Sequence, residues 1–246
     1  MTDLINEFIE IERKRFEIKT NNSFAMGFSQ IVRYYDFLSL IMADYEKAAG
    51  EFVALMNRHR ELFKESGPMN AEQLAFMETQ RTLTQRLHLE IESFFLFSKI
   101  LLDIIAHSIE FYFGPARNLA LDSHDDLAKC LDKYVKTKGL TSPPAELIRL
   151  TDYLKKNISD YRDYEICHQK SPRVVKGTTW SLDGKRIQIQ GTKIYPKDGE
   201  ADGKSSEVLH DLMQAINDYL RLLIGYLSAN NKKTKLTLDS KQKSVD

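Results

Sequence analysis

The sequence predicts an all-α protein, a helical bundle built around two very long antiparallel helices. Between residues 28 and 63 apolar side chains recur three and four positions apart, and a second pattern of this kind spans residues 71 to 113. Such spacing places the apolar side chains on one face of an α-helix. The short segment between the two patterns makes the helices antiparallel neighbours. We expect a single domain over residues 1 to 228, since 246 residues can bury a substantial core.

Capping signals predict where the first helices begin and end. A short helix is expected at residues 3 to 18, and Ser23 can cap the first long helix. Asn70 and Gln73 resemble a capping box at the start of the second long helix, since each side chain can bind the backbone N–H of the other. This helix should end at Gly114.

Two shorter helices should follow. Ser123 or Asp122 is expected to cap the first of them, which closes at Gly139, a residue that tolerates left-handed backbone. The second begins after Pro144, because proline suits the start of a helix, and it reaches toward His168.

Residues 173 to 195 are expected to form a β-hairpin inserted before the last helix. Both halves are rich in β-branched residues, and Asp183-Gly184 is a favoured two-residue hairpin turn. Trp180 could stack on a base or a partner side chain, although packing within the strands is the favoured interpretation. After the last helix, residues 229 to 246 are polar and are predicted to be a disordered tail.

Composition narrows the classes of protein. Lys+Arg and Asp+Glu are balanced at 35 each, so the formal net charge is zero. Proteins that neutralise many phosphates of duplex nucleic acid usually carry a basic excess. Any anion binding by this chain must therefore come from a local cluster of basic residues.

The sequence also predicts a cytoplasmic protein. The N-terminal sequence lacks the basic start and apolar core of a signal peptide, so none is expected. The two cysteines are too few for a disulfide framework. The most apolar stretch, residues 94 to 113, is interrupted by Lys99, Asp103, His107 and Glu110. Ionisable groups are costly in hydrocarbon, so a buried helix is expected there and membrane association is not.

One short motif could carry chemistry. Arg162 is followed directly by Asp163 and, after five intervening residues, by His168 near the predicted end of a helix. This arrangement resembles the signature of HEPN domains, in which four to six residues separate an Arg from a His and the Arg is often followed directly by Asn, Asp or His. The order of the helices over residues 25 to 228 is also similar to that family.

The resemblance implies metal-independent cleavage of RNA, with no cofactor. His168 would transfer a proton at the ribose 2′-hydroxyl, since imidazole titrates near neutrality. Arg162 would stabilise charge on the phosphate with its fixed fork of donors, and Asp163 completes the motif. HEPN proteins commonly dimerise, so that two motif helices share one cleft. In some toxin members a partner enzyme modifies a Tyr that stands two positions after the His. Here that position is Lys170, so this partnership is not expected.

A structural interpretation of the same residues stays open. On an ideal helix Arg162 and His168 lie roughly 120° apart, so they converge only if the helix ends or distorts, or if a partner subunit completes the site. Arg162 could instead pair with Asp163 or Glu165, with His168 bound near a helix C-terminus. The leading hypothesis is an endoribonuclease of a toxin, stress or defence system. The alternative is a non-catalytic HEPN-like module that assembles through its long helices.

Other candidates are weaker. Asp103 and His107 could support the Arg–His cleft or begin a metal site, but a solvated face or a buried ion-pair ladder is favoured. No His or Cys spacing completes a zinc site, so no metal is expected. His124, with Asp125 and Asp126, is interpreted as the first turn of a helix. Cys167 beside His168 is not expected to be an activated thiol, since adjacent helical residues do not face each other.

Overall fold

The computed structural model describes residues 1–15, 23–62, 68–159, 162, 174–182, 186–195 and 204–236. The described chain is predominantly α-helical, which confirms the predicted fold class at this level. The helices are α1 (Thr2–Arg15), α2 (Ser23–Leu62), α3 (Ala71–Phe113), α4 (His124–Lys138), α5 (Ala145–Leu154) and α6 (Ser206–Ala229). A π-helical turn (Lys155–Ser159) continues α5, and a 3-10 turn (Asn231–Lys233) follows α6.

The chain divides into two compact units. Unit 1 contains Met1–Leu38, Phe95–Asp163 and Leu212–Asp246, whereas unit 2 contains Ser39–Phe94 and Tyr164–Asp211. The two long helices, α2 and α3, each contribute residues to both units.

Within unit 1, α2 and α3 are antiparallel. Phe28 of α2 lies 6.4 Å from Tyr112 of α3, and Phe37 lies 5.7 Å from Phe97, measured between ring centroids. Residue numbers thus rise along one helix as they fall along the other. Phe28 and Tyr112 also contact Phe8 of α1, so these three helices share one aromatic core. The second half of α3, which lies in the apolar stretch of residues 94 to 113, thus packs against both α1 and α2.

In unit 2 the capping box at the start of α3 is confirmed. The Gln73 backbone N–H donates to Oδ1 of Asn70 at 2.9 Å, and the Asn70 N–H donates to Oε1 of Gln73 at 3.0 Å. The Gln73 amide also donates to the carbonyl of Leu62, the last residue of α2, at 2.7 Å. One side chain therefore joins the end of one long helix to the start of the next. Two ion pairs, Arg58–Glu72 and Asp44–Arg86, show that the helices are antiparallel here as well.

Both predicted caps of α4, in unit 1, are confirmed. The Ser123 side chain accepts a hydrogen bond from the Asp126 backbone N–H at 3.2 Å. Gly139 has the left-handed φ of 61° that ends many helices, and its N–H donates to the carbonyl of Lys136.

Two glycines of unit 1 should respond in opposite directions to alanine. Gly139→Ala should lower the free energy of unfolding by about 1 kcal/mol, because a side chain is strained at positive φ. Gly225→Ala should raise it by about 0.5–1 kcal/mol, since Gly225 is exposed within α6 and has open space for a Cβ. Urea denaturation of both variants checks this pair, and equal shifts of the same sign would contradict it.

The described part of unit 2 contains three strands: β1 (Val174–Leu182), β2 (Arg186–Tyr195) and β3 (Lys204–Ser205). β1 and β2 pair antiparallel, with an irregularity between Thr178 and Thr179, and β3 pairs with β2. The predicted turn at Asp183-Gly184 lies outside the described residues, as does the side chain of Trp180. That this segment is an insertion into a HEPN-like bundle stays a prediction.

The predicted disordered tail does not begin at residue 229. Residues 230 to 236 belong to the folded part of unit 1 rather than to a tail that starts at residue 229. Asn230 is buried, and its amide oxygen accepts from the backbone N–H of Thr141 at 2.9 Å. The Tyr112 carbonyl, at the end of α3, accepts from the Lys235 N–H at 2.9 Å and from the Thr234 hydroxyl at 2.6 Å. Polar residues order here because they satisfy a helix end. Residues 237 to 246 lie outside the described part.

Among the described residues, no helix is both long enough and apolar enough to span a membrane.

Candidate functional site

The helix that leads to the Arg–His motif lies in unit 1. Its α-helical part, α5, buries Leu147, Leu150 and Leu154, so one face is fixed against the core. After Leu154 the backbone changes to a π-helical turn, and Arg162 is also π-helical and partly buried. Asp163 and His168 lie outside the described residues, as do Cys167 and Lys170. Whether His168 approaches Arg162 therefore stays a prediction.

The π-helical turn, Lys155–Ser159, is informative about this motif. Convergence of Arg162 and His168 requires a departure from ideal α geometry between the two residues, and Arg162, where that stretch begins, is π-helical. Single π-helical turns inside α-helices are uncommon and frequently accompany functional sites. Ile158 and Ser159 are fully buried, so the distorted turn is held by the core of unit 1 rather than frayed.

A buried ion cluster lies near the N-terminus of α4 in unit 1. Lys99 of α3 is 5% exposed, and its ammonium lies 2.9 Å from Oδ1 of Asp103 and 3.5 Å from Oδ1 of Asp125. The same Asp103 oxygen accepts a hydrogen bond from the His124 backbone N–H at 2.9 Å. A carboxylate at a helix N-terminus is favoured by the helix dipole, so the cluster fixes α4 to α3. His107, the next member of the predicted polar stripe, is exposed instead.

The His124 side chain extends this cluster into the core. The ring is fully buried, with Nε2 at 3.3 Å from the Tyr219 hydroxyl of α6. Tyr219 in turn hydrogen-bonds Thr151 of α5. Buried polar contacts therefore connect α3, α4, α6 and the helix that leads to Arg162. The sequence interpretation missed His124, since a residue next to an N-cap is usually solvated and only tertiary packing buries it.

Burial changes the acid–base behaviour of His124. It lowers the pKa of the imidazole from 6.5 to about 3, helped by the positive charges of Lys99 and Lys155, whereas Asp125 opposes the shift. The ring is therefore neutral in the folded protein at physiological pH.

Acid should destabilise the protein through this histidine. The unfolded chain takes up a proton near pH 6.5, whereas the folded chain resists protonation down to about pH 3. Stability is therefore present above pH 6.5 and lost as pH falls below it, by about 2 kcal/mol at pH 5. Urea denaturation between pH 7.5 and 5 should show this slope, and His124→Gln should flatten it. The exposed His210 provides the control, since His210→Gln should keep the slope. An unchanged slope in His124→Gln would refute the assignment.

Metal binding finds no support in the described part of the chain, where no group of three or more His, Cys, Asp or Glu side chains could hold an ion. The predicted extension of Asp103 and His107 into a metal site therefore lacks further ligands among these residues.

A partly exposed aromatic cluster occupies another face of unit 1. The rings of Tyr34, Phe37 and Phe97 lie 5.6–6.0 Å apart, and the Arg33 guanidinium lies 5.3 Å from the Phe37 ring. Ile100, one turn beyond Phe97 on α3, is 39% exposed. Exposed aromatic and Arg side chains are enriched in protein interfaces.

Comparisons with protein-family models, with curated proteins and with solved structures all find no match. The fold defines the described part of the chain as a predominantly α-helical protein.

Proposed function

We propose that this protein is a HEPN-like, metal-independent endoribonuclease whose motif is Arg162, Asp163 and His168. The observation that supports this best is that the backbone is π-helical at Arg162 itself, beyond the π-helical turn Lys155–Ser159, so ideal α-helical geometry has ended at the first motif residue. On one continuous α-helix the two side chains would lie roughly 120° apart, so the pair meets only where the backbone departs from that geometry at or beyond Arg162.

The proposed reaction needs only these side chains and the RNA. His168 accepts the proton of a ribose 2′-hydroxyl as the oxygen attacks the adjacent phosphorus. Arg162 donates hydrogen bonds to the non-bridging phosphate oxygens, where negative charge accumulates. The P–O5′ bond breaks as the leaving oxygen takes up a proton from solvent water, and His168 then releases the proton it accepted to the solvent. The products carry a 2′,3′-cyclic phosphate and a 5′-hydroxyl.

A homodimer is part of this proposal. A second motif helix could supply the histidine or arginine that one helix alone directs elsewhere. The partly exposed aromatic cluster of Tyr34, Phe37 and Phe97 supports a self-association surface on unit 1. Light scattering at micromolar concentration should give twice the monomer mass.

A cytoplasmic toxin, stress or defence role fits an RNA-cutting dimer.

Cleavage of RNA by the purified protein tests the proposal directly. The full chain should cut single-stranded RNA in the presence of EDTA, because no step uses a metal ion. The 5′ fragments should end in a cyclic phosphate, detected by mass spectrometry. RNA that stays intact with the folded protein, or cleavage that stops when EDTA is added, contradicts the proposal.

A non-catalytic interaction module is the second candidate. The same aromatic cluster, with Arg33 over the Phe37 ring, favours it, because these residue types commonly anchor interfaces. A protein that dimerises through this surface and leaves RNA intact would support it over the endoribonuclease.

A further inference from the structure

Lysines from two distant parts of the chain converge at one end of unit 1. The position that a Cβ atom would take at Gly114 lies 3.2 Å from Nζ of Lys138 and 3.2 Å from Cδ of Lys235. These two side chains, one from α4 and one from the segment after α6, thus meet over the same glycine. At Gly139 the corresponding position lies 3.8 Å from Nζ of Lys233.

More basic residues stand beside them in the sequence. Lys136 is in the last turn of α4, and Lys232 is in the 3-10 turn. Cations near a helix C-terminus interact favourably with the helix dipole, which accounts for Lys136 and Lys138. The dipole does not account for lysines that a separate segment brings to the same place. The net charge of the whole chain is zero, so anion binding requires a local excess of basic residues. The lysine cluster, which comprises Lys136, Lys138, Lys232, Lys233 and Lys235, is such an excess.

A groove of about 470 Å³ adjoins the lysine cluster in unit 1, within the size range of ligand-binding clefts. Ile104, Phe111 and Pro115 provide apolar walls, and Gln30, His107 and Glu110 provide polar groups. Lys235 joins the two features, since it lines the groove and its Nζ lies 5.0 Å from the Phe111 ring centroid.

We propose that the lysine cluster binds phosphates of single-stranded RNA and that the groove receives an unpaired base of the same strand. Cations that follow a backbone, next to apolar and aromatic surface for a base, are the common design of single-strand binding. The inference rests on the proposed function and adds a substrate-binding surface to it, separate in sequence from Arg162 and His168.

Fluorescence anisotropy with a labelled 2′-O-methyl RNA tests the surface without cleavage, because this probe lacks the attacking hydroxyl. Lys138→Glu combined with Lys235→Glu should weaken binding by about 10-fold or more. The slope of log K against log salt should flatten by about 1.4, since each lost contact to a single strand contributes about 0.7. A control of equal net charge, Lys14→Glu with Lys47→Glu, changes exposed lysines that belong to neither the groove nor the lysine cluster and should leave affinity within about threefold.

Two single variants test the groove itself. Glu110→Gln removes the carboxylate from the groove and should tighten binding about two- to threefold, a gain that a damaged fold does not produce. Gly27→Phe places a ring in the groove without changing charge and should weaken binding about fivefold or more.

The outcomes distinguish this inference from the proposed function. If unmodified RNA is cut but the lysine variants bind like the control, the surface is wrong and the endoribonuclease stands. If the lysines govern binding of the 2′-O-methyl RNA while unmodified RNA is never cut, the endoribonuclease fails and the surface stands. Equal binding of vesicles rich in phosphatidylserine would overturn the assignment to RNA.

Discussion

His168→Ala and Arg162→Ala should each lower the rate of RNA cleavage by at least about 100-fold. A positioned general base contributes roughly 10²–10⁴ to such a rate, and removal of one donor to a developing oxyanion costs a similar factor. Arg162→Lys should recover little, because an ammonium does not present the paired donors of guanidinium. Single-turnover cleavage of a labelled single-stranded RNA measures these effects.

The controls for this experiment lie on the same chain. Arg149 of α5 is exposed and ion-paired with Glu146, so Arg149→Ala removes an arginine from the motif helix without touching the motif. His210→Ala likewise removes an exposed histidine. Both controls should cut at the wild-type rate. Equal loss in the motif and control variants, or full activity of a folded His168→Ala, would exclude the proposed chemistry.

Phe28→Ala should lower the free energy of unfolding by about 3–5 kcal/mol. The side chain is fully buried in unit 1, with its ring 5.3 Å from Phe8 and 6.4 Å from Tyr112. Its removal loses both the transfer of a large apolar group from water and the contacts of three helices around the resulting cavity. A loss of this size is a large part of the stability of an ordinary protein. Urea denaturation followed by circular dichroism measures it.

Leu40→Ala is the matched control for Phe28. Leu40 lies on the same helix and is 64% exposed, so the change should cost less than about 0.5 kcal/mol. If the two variants lose similar stability, α2 is not held by the aromatic core.

Helix boundaries were predictable because their causes are local. The Asn70–Gln73 capping box, the Ser123 cap and the left-handed Gly139 each involve residues a few positions apart. The sequence alone therefore contains the interaction that sets each boundary.

Tertiary burial of polar groups was not predictable in the same way. Nothing next to His124 in the sequence indicates that α6 will cover its ring with Tyr219. Lys99 is likewise ion-paired with Asp125, a residue that approaches from another helix and is distant in the sequence. The motif was recognisable as a pattern, but the sequence did not predict the π-helical turn before it, since such turns depend on packing around the helix.

Unit 1 is formed by segments that are far apart in the sequence, and this separation affects how the unit folds during synthesis. The Tyr35 hydroxyl donates to the Asn217 side chain at 2.6 Å, across 182 residues of sequence. At the usual rate of about 5–20 residues per second, the ribosome finishes the second partner some 10–40 s after the first. Unit 1 therefore cannot close while most of the chain is still being translated. If Arg162 and His168 cut RNA, the nascent polypeptide stays inactive beside the ribosomal RNA until α6 has emerged.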